Sequence, residues 1–185
     1  MSPIKTCPSP IPLTKLAHQF AEQRLANGAI AIDATMGNGH DTQYLAQLVA
    51  PSGWVYAFDI QESALAATKT RLHAAELLPL STLIHDSHAR LCEHIHPEHQ
   101  GTVNVVMFNL GYLPGSDKTI ITRSDTTLAA VKSAYSLLAA RGIITILAYP
   151  GHAGGDSETL ELENWLNSNG FTDSSVTCYL SPQAT

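Results

Sequence analysis

Four short stretches of this chain close apolar runs with residues able to do chemistry. The first reads Asp33-Ala34-Thr35-Met36-Gly37-Asn38-Gly39-His40-Asp41-Thr42. Gly37 and Gly39 permit a sharp bend and a close backbone approach to a ligand. A helix starting just beyond them aims its free N–H groups at that ligand. The dinucleotide fingerprint GxGxxG requires glycine or alanine where Thr42 stands, which disfavours a pyrophosphate. Asp33 and Asp41 flank the bend instead. Two carboxylates repel a pyrophosphate but attract a cation, such as a ligand carrying an ammonium and a sulfonium. A plain helix-entry turn is the competing explanation.

The second stretch reads Phe58-Asp59-Ile60-Gln61. An acidic residue roughly 20 residues after a glycine bend is placed to accept two hydrogen bonds from a ribose diol. In the third, His85-Asp86-Ser87-His88, Asp86 and Ser87 can meet an adenine edge or cap the following helix, and both uses stay open. The fourth, Phe108-Asn109-Leu110-Gly111-Tyr112-Leu113-Pro114-Gly115, is not ordinary turn chemistry. Asn109 offers an acceptor carbonyl that can orient an amine. Gly111 lets a flat group approach, and Tyr112 can stack upon it.

These stretches need a scaffold that brings strand ends together. Strand candidates run over 29–34, 54–59, 81–85, 103–109, 143–149 and 174–180, and helix candidates over 41–49, 62–77, 87–95, 124–140 and 157–168. Several strands are almost continuously apolar, as expected when helices cover both faces. The alternation predicts an α/β fold with an open, doubly wound, mostly parallel sheet, its ligand beyond the carboxyl ends of the strands. Pro3, Pro8, Pro10 and Pro12 predict an extended arm. A helix follows, with Thr14 as its cap and Asn27-Gly28 as its stop. Residues 1–28 are thus expected as arm and helix, and 29–185 as the ligand-binding domain, within a single domain overall.

The loop DATMGNGHDT, then FDIQ, HDSHA and FNLGYLPG, together resemble the class I S-adenosylmethionine-dependent methyltransferases, which have a Rossmann-like fold. More narrowly they resemble the family labelled rRNA methylases. Its characterised bacterial members methylate the aminomethyl group of 5-aminomethyl-2-thiouridine at the tRNA wobble position. The resemblance runs from Ile30 to Gly155 and includes Tyr149-Pro150-Gly151-His152. It implies S-adenosylmethionine as cofactor, with contacts from Asn38 and Asp41 beside Asp33, Gly37 and Gly39. It also implies Asp59 and Gln61 on the ribose side, and Ser87 and His88, with Asp86, near the adenine. Asn109, Leu110 and Tyr112 belong to the implied acceptor pocket. Apart from the resemblance, solvent, Asp117 or His152, expected near the same rim, is the candidate proton acceptor. The implied partner is tRNA in its anticodon region. Another RNA base, a small amine, or a donor-binding module without turnover are the alternatives, and an oxidoreductase is the more distant one.

Such folds close with a seventh, antiparallel strand, which the last residues, Cys178 to Thr185, leave no room for. A shortened form or an open strand edge is expected, and an open edge invites pairing into a homodimer. The 185 residues carry 44% hydrophobic and 14% charged residues, enough to bury a core. With 10 Lys+Arg against 16 Asp+Glu, the net charge of −6 excludes wholesale coating of phosphates. Lys5, Lys15, Lys118 and Arg123 could still form a local basic rim. Cys7, Cys92 and Cys178 lack metal or disulfide spacing, and His94, His96 and His99 read as a solvated loop, so no metal is expected. No export signal or membrane span is expected either, so the chain is placed in the cytoplasm.

Overall fold

A computed structural model describes residues 5–111, 124–149, 155–169 and 175–181. Its strands are β1 (Lys5–Pro8), β2 (Ile30–Asp33), β3 (Trp54–Asp59), β4 (Ser81–His85), β5 (Val103–Asn109), β6 (Leu138–Leu147) and β7 (Thr177–Leu180). Its α-helices are α1 (Leu13–Glu22), α2 (His40–Val49), α3 (Glu62–Ala74), α4 (Leu91–His94), α5 (Ser124–Leu137) and α6 (Gly155–Asn169). Five strands form one sheet in the order β4-β3-β2-β5-β6, and every pairing in it is parallel. Strand order reverses at β2, which has β3 on one side and β5 on the other. The crevice between the ends of β2 and β5 is therefore the switch point.

Alternate residues of the central strands feed two cores, because successive side chains point to opposite faces. Ile32, Val106 and Phe108 pack with Leu91, Ala130, Val131 and Ala134. Ala31, Val105 and Met107 pack with Ala17, Ala21, Leu25, Leu45, Val49 and Leu72. Thus α1, α2 and α3 cover one face, and α4, α5 and α6 the other. Both faces are dry, which explains the unbroken apolar runs. Ala17 and Ala21, both buried, seat α1 in the same core as the sheet, and Leu25 just beyond it adds about 2–3 kcal/mol by its burial.

Several expectations need correction. The proline-rich arm contains a strand: β1 pairs in parallel with β7, matching Thr6 to Cys178 and Cys7 to Tyr179. The last strand thus has a neighbour from the far end of the chain on one of its edges. The α1 cap is Pro12 and not Thr14; the Pro12 carbonyl accepts the Leu16 N–H at 3.0 Å. The third helix stops at Ala74, beyond which Glu76 takes a left-handed φ of 59°. The expected helix over 87–95 splits into a 3-10 turn, His88–Arg90, and α4. Leu138–Ala140 belongs to β6, since Leu138 pairs with Val103 before a register shift. That shift passes through Arg141 at φ 68° and Gly142, where a Cβ would lie 2.8 Å from the Val103 carbonyl oxygen.

Candidate functional site

The end of β2 delivers Asp33 to the floor of the crevice, 1% exposed. Thr42 Oγ1 donates to its Oδ2 at 2.6 Å, and the Thr35 N–H donates to its Oδ1 at 3.1 Å. The branched residue that breaks the dinucleotide fingerprint is therefore the one that satisfies the buried carboxylate. Burial pushes the Asp33 carboxyl up to about 7; the charge of Asp41 adds to this and that of Asp59 adds less, while the two hydrogen bonds pull the other way.

Asp59, at the end of β3, is tied to the same bend. Its Oδ2 accepts the Gly37 N–H at 3.0 Å, and its Oδ1 accepts the Gln61 N–H at 2.9 Å. A carboxylate oxygen has a second lone pair, so both oxygens can still accept a hydroxyl. Gly39 sits at φ 77° as the cap of α2, and a Cβ there would meet Thr68 at 2.7–2.9 Å. From outside the bend, α3 holds two loop carbonyls. Thr68 Oγ1 donates to Gly37 O at 3.1 Å, and Arg71 Nε donates to Asn38 O at 2.8 Å.

Asp41 opens α2 and accepts from His18 Nε2 at 2.7 Å, a contact that reaches across to α1. At the end of β4, Asp86 is already engaged. Its Oδ2 accepts from His94 Nε2 at 2.8 Å and Arg90 at 2.9 Å, and its Oδ1 from the Ser87 N–H at 2.8 Å. The His94 hydrogen bond leads the causes that lower the Asp86 carboxyl below its ordinary range. Ser87 caps the next turn, accepting the Ala89 N–H at 3.2 Å. His88 is buried; its Nδ1 donates to Ala34 O at 3.1 Å, and its ring meets Phe108 edge-on.

Asn109 ends β5 half-buried, and its backbone N–H donates to Thr35 Oγ1 at 2.8 Å. Leu110 is buried, its N–H donating to Leu147 O at 2.8 Å. Tyr112, Leu113, Pro114, Gly115, Asp117, Lys118, Arg123, Pro150, Gly151 and His152 lie outside the described residues. The structure thus gathers Asp33, Gly37, Asn38, Gly39, Asp41, Asp59 and Gln61 around one bend. It joins that bend directly to Asn109.

Four participants carried no signal in the sequence: His18, Thr35, Thr68 and Arg71. Only a helical face repeating at 68 and 71, three residues apart, hints at the α3 clasp. The histidine cluster is broken up by other partners. His94 holds Asp86, His99 Nδ1 lies 2.8 Å from the Tyr56 hydroxyl, and His96 Nδ1 accepts the Glu98 N–H.

The family model described as "Putative rRNA methylase" matches residues 55–181. The chain belongs to this family. Its matched span begins in β3, so within this family member it takes in Asp59 and the end of β5 but not the glycine bend. A curated relative, tRNA (mnm(5)s(2)U34)-methyltransferase, chloroplastic, of Arabidopsis thaliana, is 41% identical over 156 residues, 78% of this chain. The chain spans about half the length of that relative, 55%. Among solved structures, an rRNA methylase-labelled protein of Clostridium thermocellum superposes with a TM-score of 0.83 at 37% identity, covering 89% of this chain and 86% of that one. A Streptococcus mutans protein labelled a methyltransferase, solved with S-adenosylhomocysteine, gives 0.77 at 35%, covering 87% and 84%. The fold of this rRNA-methylase family member is the class I methyltransferase fold, an α/β sheet with helices on both faces.

Proposed function

We propose that this chain is an S-adenosylmethionine-dependent methyltransferase that N-methylates the 5-aminomethyl group of 2-thiouridine at the wobble position of tRNA. The observation that carries the substrate is the 41% identity to the Arabidopsis enzyme over 78% of the chain. The donor set suits this cofactor. Asp33 and Asp41 face a bend that a cationic amino-acid tail would relieve of mutual repulsion, and Asp59 keeps lone pairs for a ribose diol. Asn38, Gly37, Gly39 and Gln61 line the same bend. Ser87, with Asp86 beside it, stands on the adenine side, and His88 supports that end from beneath through Ala34 O and Phe108. When bound, S-adenosylmethionine supplies a methyl group already activated by its sulfonium.

The chain's own work is then alignment. Asn109 and the Leu110 carbonyl orient the N–H bonds of the acceptor amine, and Tyr112 stacks on the uracil ring. In-line placement at roughly 3–3.5 Å is worth on the order of 7–11 kcal/mol of effective molarity. The amine must lose a proton to expose its lone pair; solvent, Asp117 or His152 accepts it. The partner is the anticodon region of tRNA, in the cytoplasm, although the Arabidopsis relative is named as chloroplastic. Among the described residues no helix is long and apolar enough to cross a membrane. The test is incubation with S-adenosylmethionine and tRNA bearing 5-aminomethyl-2-thiouridine, followed by nucleoside mass spectrometry. A mass gain of one methyl on that nucleoside is expected. An unchanged nucleoside, from protein that binds S-adenosylhomocysteine, overturns the substrate.

A further inference from the structure

We propose that His18, on α1 and outside every strand-end motif, is a positioning residue for the methyl-donor site and acts through Asp41. The inference rests on the glycine bend being that site. His18 Nε2 donates to Asp41 Oδ1 at 2.7 Å, with the two side chains 30% and 19% exposed. A hydrogen bond to a carboxylate is roughly twice as strong as a neutral one.

The imidazole itself is held still. It stacks on Tyr44 at 3.9 Å between centroids and 15° between planes. The Tyr44 hydroxyl lies 3.1 Å from His18 O and 2.8 Å from Glu22 Oε1. Tyr44 stands three residues after Asp41, on the same face of α2. Ring, hydroxyl and carboxylate therefore lock α1 to the turn that carries Asp41.

A carboxylate in the first turn of a helix has a competing option. It can swing toward the free N–H groups of its own N-terminus. Here the cap is Gly39, which has no side chain to occupy those groups. His18 holds one oxygen of Asp41 toward α1 and so fixes where the second points.

A purely structural role, in which the ring merely glues α1 to α2, is separated from this one by two variants. His18→Phe keeps an aromatic ring against Tyr44 and removes the donor; His18→Gln restores an N–H donor without the ring. Titration calorimetry with S-adenosylhomocysteine, thermal melting and methyl-transfer kinetics are measured on the full chain. His18→Phe is expected to bind about tenfold more weakly, the loss of one charge-assisted hydrogen bond, with a nearly unchanged Tm. His18→Gln is expected to recover to within about threefold, and kcat at saturating donor to stay within about twofold in both. Wild-type affinity in His18→Phe overturns the inference, as does an affinity loss that tracks a Tm loss in both variants. A wild-type protein giving no heat overturns the proposed cofactor as well, which distinguishes the two failures.

Discussion

The backbone N–H of Asn109 donates to the side-chain hydroxyl of Thr35 at 2.8 Å. One hydrogen bond thus bridges the switch point between the bend after β2 and the end of β5. On the proposed function it sets the donor side against the acceptor side. Thr35→Val removes the acceptor for this N–H while keeping the branched shape. Turnover is expected to fall about tenfold with S-adenosylhomocysteine affinity nearly unchanged, and Thr35→Ser to restore most of it. Asn109→Ala is expected to behave like Thr35→Val. A collapse of donor binding in Asn109→Ala would move that residue to the donor side.

Asp33 makes stability depend on pH in an unusual direction. Its carboxyl rises from 3.8 to about 7 because of burial first and Asp41 second. The native state therefore holds a proton that the unfolded chain has released between those two values. The associated stability is complete below about 4 and is lost as pH rises through about 7. Urea denaturation at pH 5 and pH 8 is expected to show wild type weakening toward pH 8. Asp33→Asn should lack that part of the slope.

Gly39 has no tolerance for a side chain. At φ 77° a Cβ would lie 2.7 Å from Thr68 Oγ1 and 2.9 Å from the Thr68 Cα. Backbone strain and overpacking together make Gly39→Ala destabilising by roughly 2–4 kcal/mol. Chemical denaturation measures that cost directly. Donor affinity is expected to fall too, because the clash displaces α3 from the bend.

Arg71 stabilises the bend from outside through Asn38 O at 2.8 Å, and its guanidinium also reaches Gln43 Oε1 at 3.3 Å and His40 Nε2 at 3.1 Å. Arg71→Ala is expected to cost about 1 kcal/mol of stability and to weaken S-adenosylhomocysteine several-fold. Arg71→Lys keeps the charge but loses the fork, so it should recover little. Calorimetry on the two variants side by side is the measurement.

The central strands were legible because each is apolar along its length and buried on both faces. Wherever the structure departs from expectation, the deciding partner is remote in sequence. Nothing near Lys5–Pro8 announces a strand, since its pairing depends on Thr177–Leu180. Leu138–Ala140 continue an apolar helical stripe, and only Val103 opposite them draws Leu138 into the sheet. At the site, glycines and carboxylates declare themselves by type and spacing. Thr35, Thr68, Arg71 and His18 act through contacts to backbone or to one carboxylate, and beyond the three-residue spacing of Thr68 and Arg71 such contacts leave no periodic trace.

The pairing of β1 with β7 has a consequence for synthesis on the ribosome. Cys7 Sγ lies 3.8 Å from Cys178 O across a separation of 171 residues. Lys5–Pro8 must wait, unpaired, until Thr177–Leu180 has emerged. The central sheet can assemble in the meantime, as its strands are neighbours in translation order or nearly so. Lys5–Pro8 thus leaves the ribosome ahead of the central strands yet settles after them, exposed to proteases and chaperones throughout the interval.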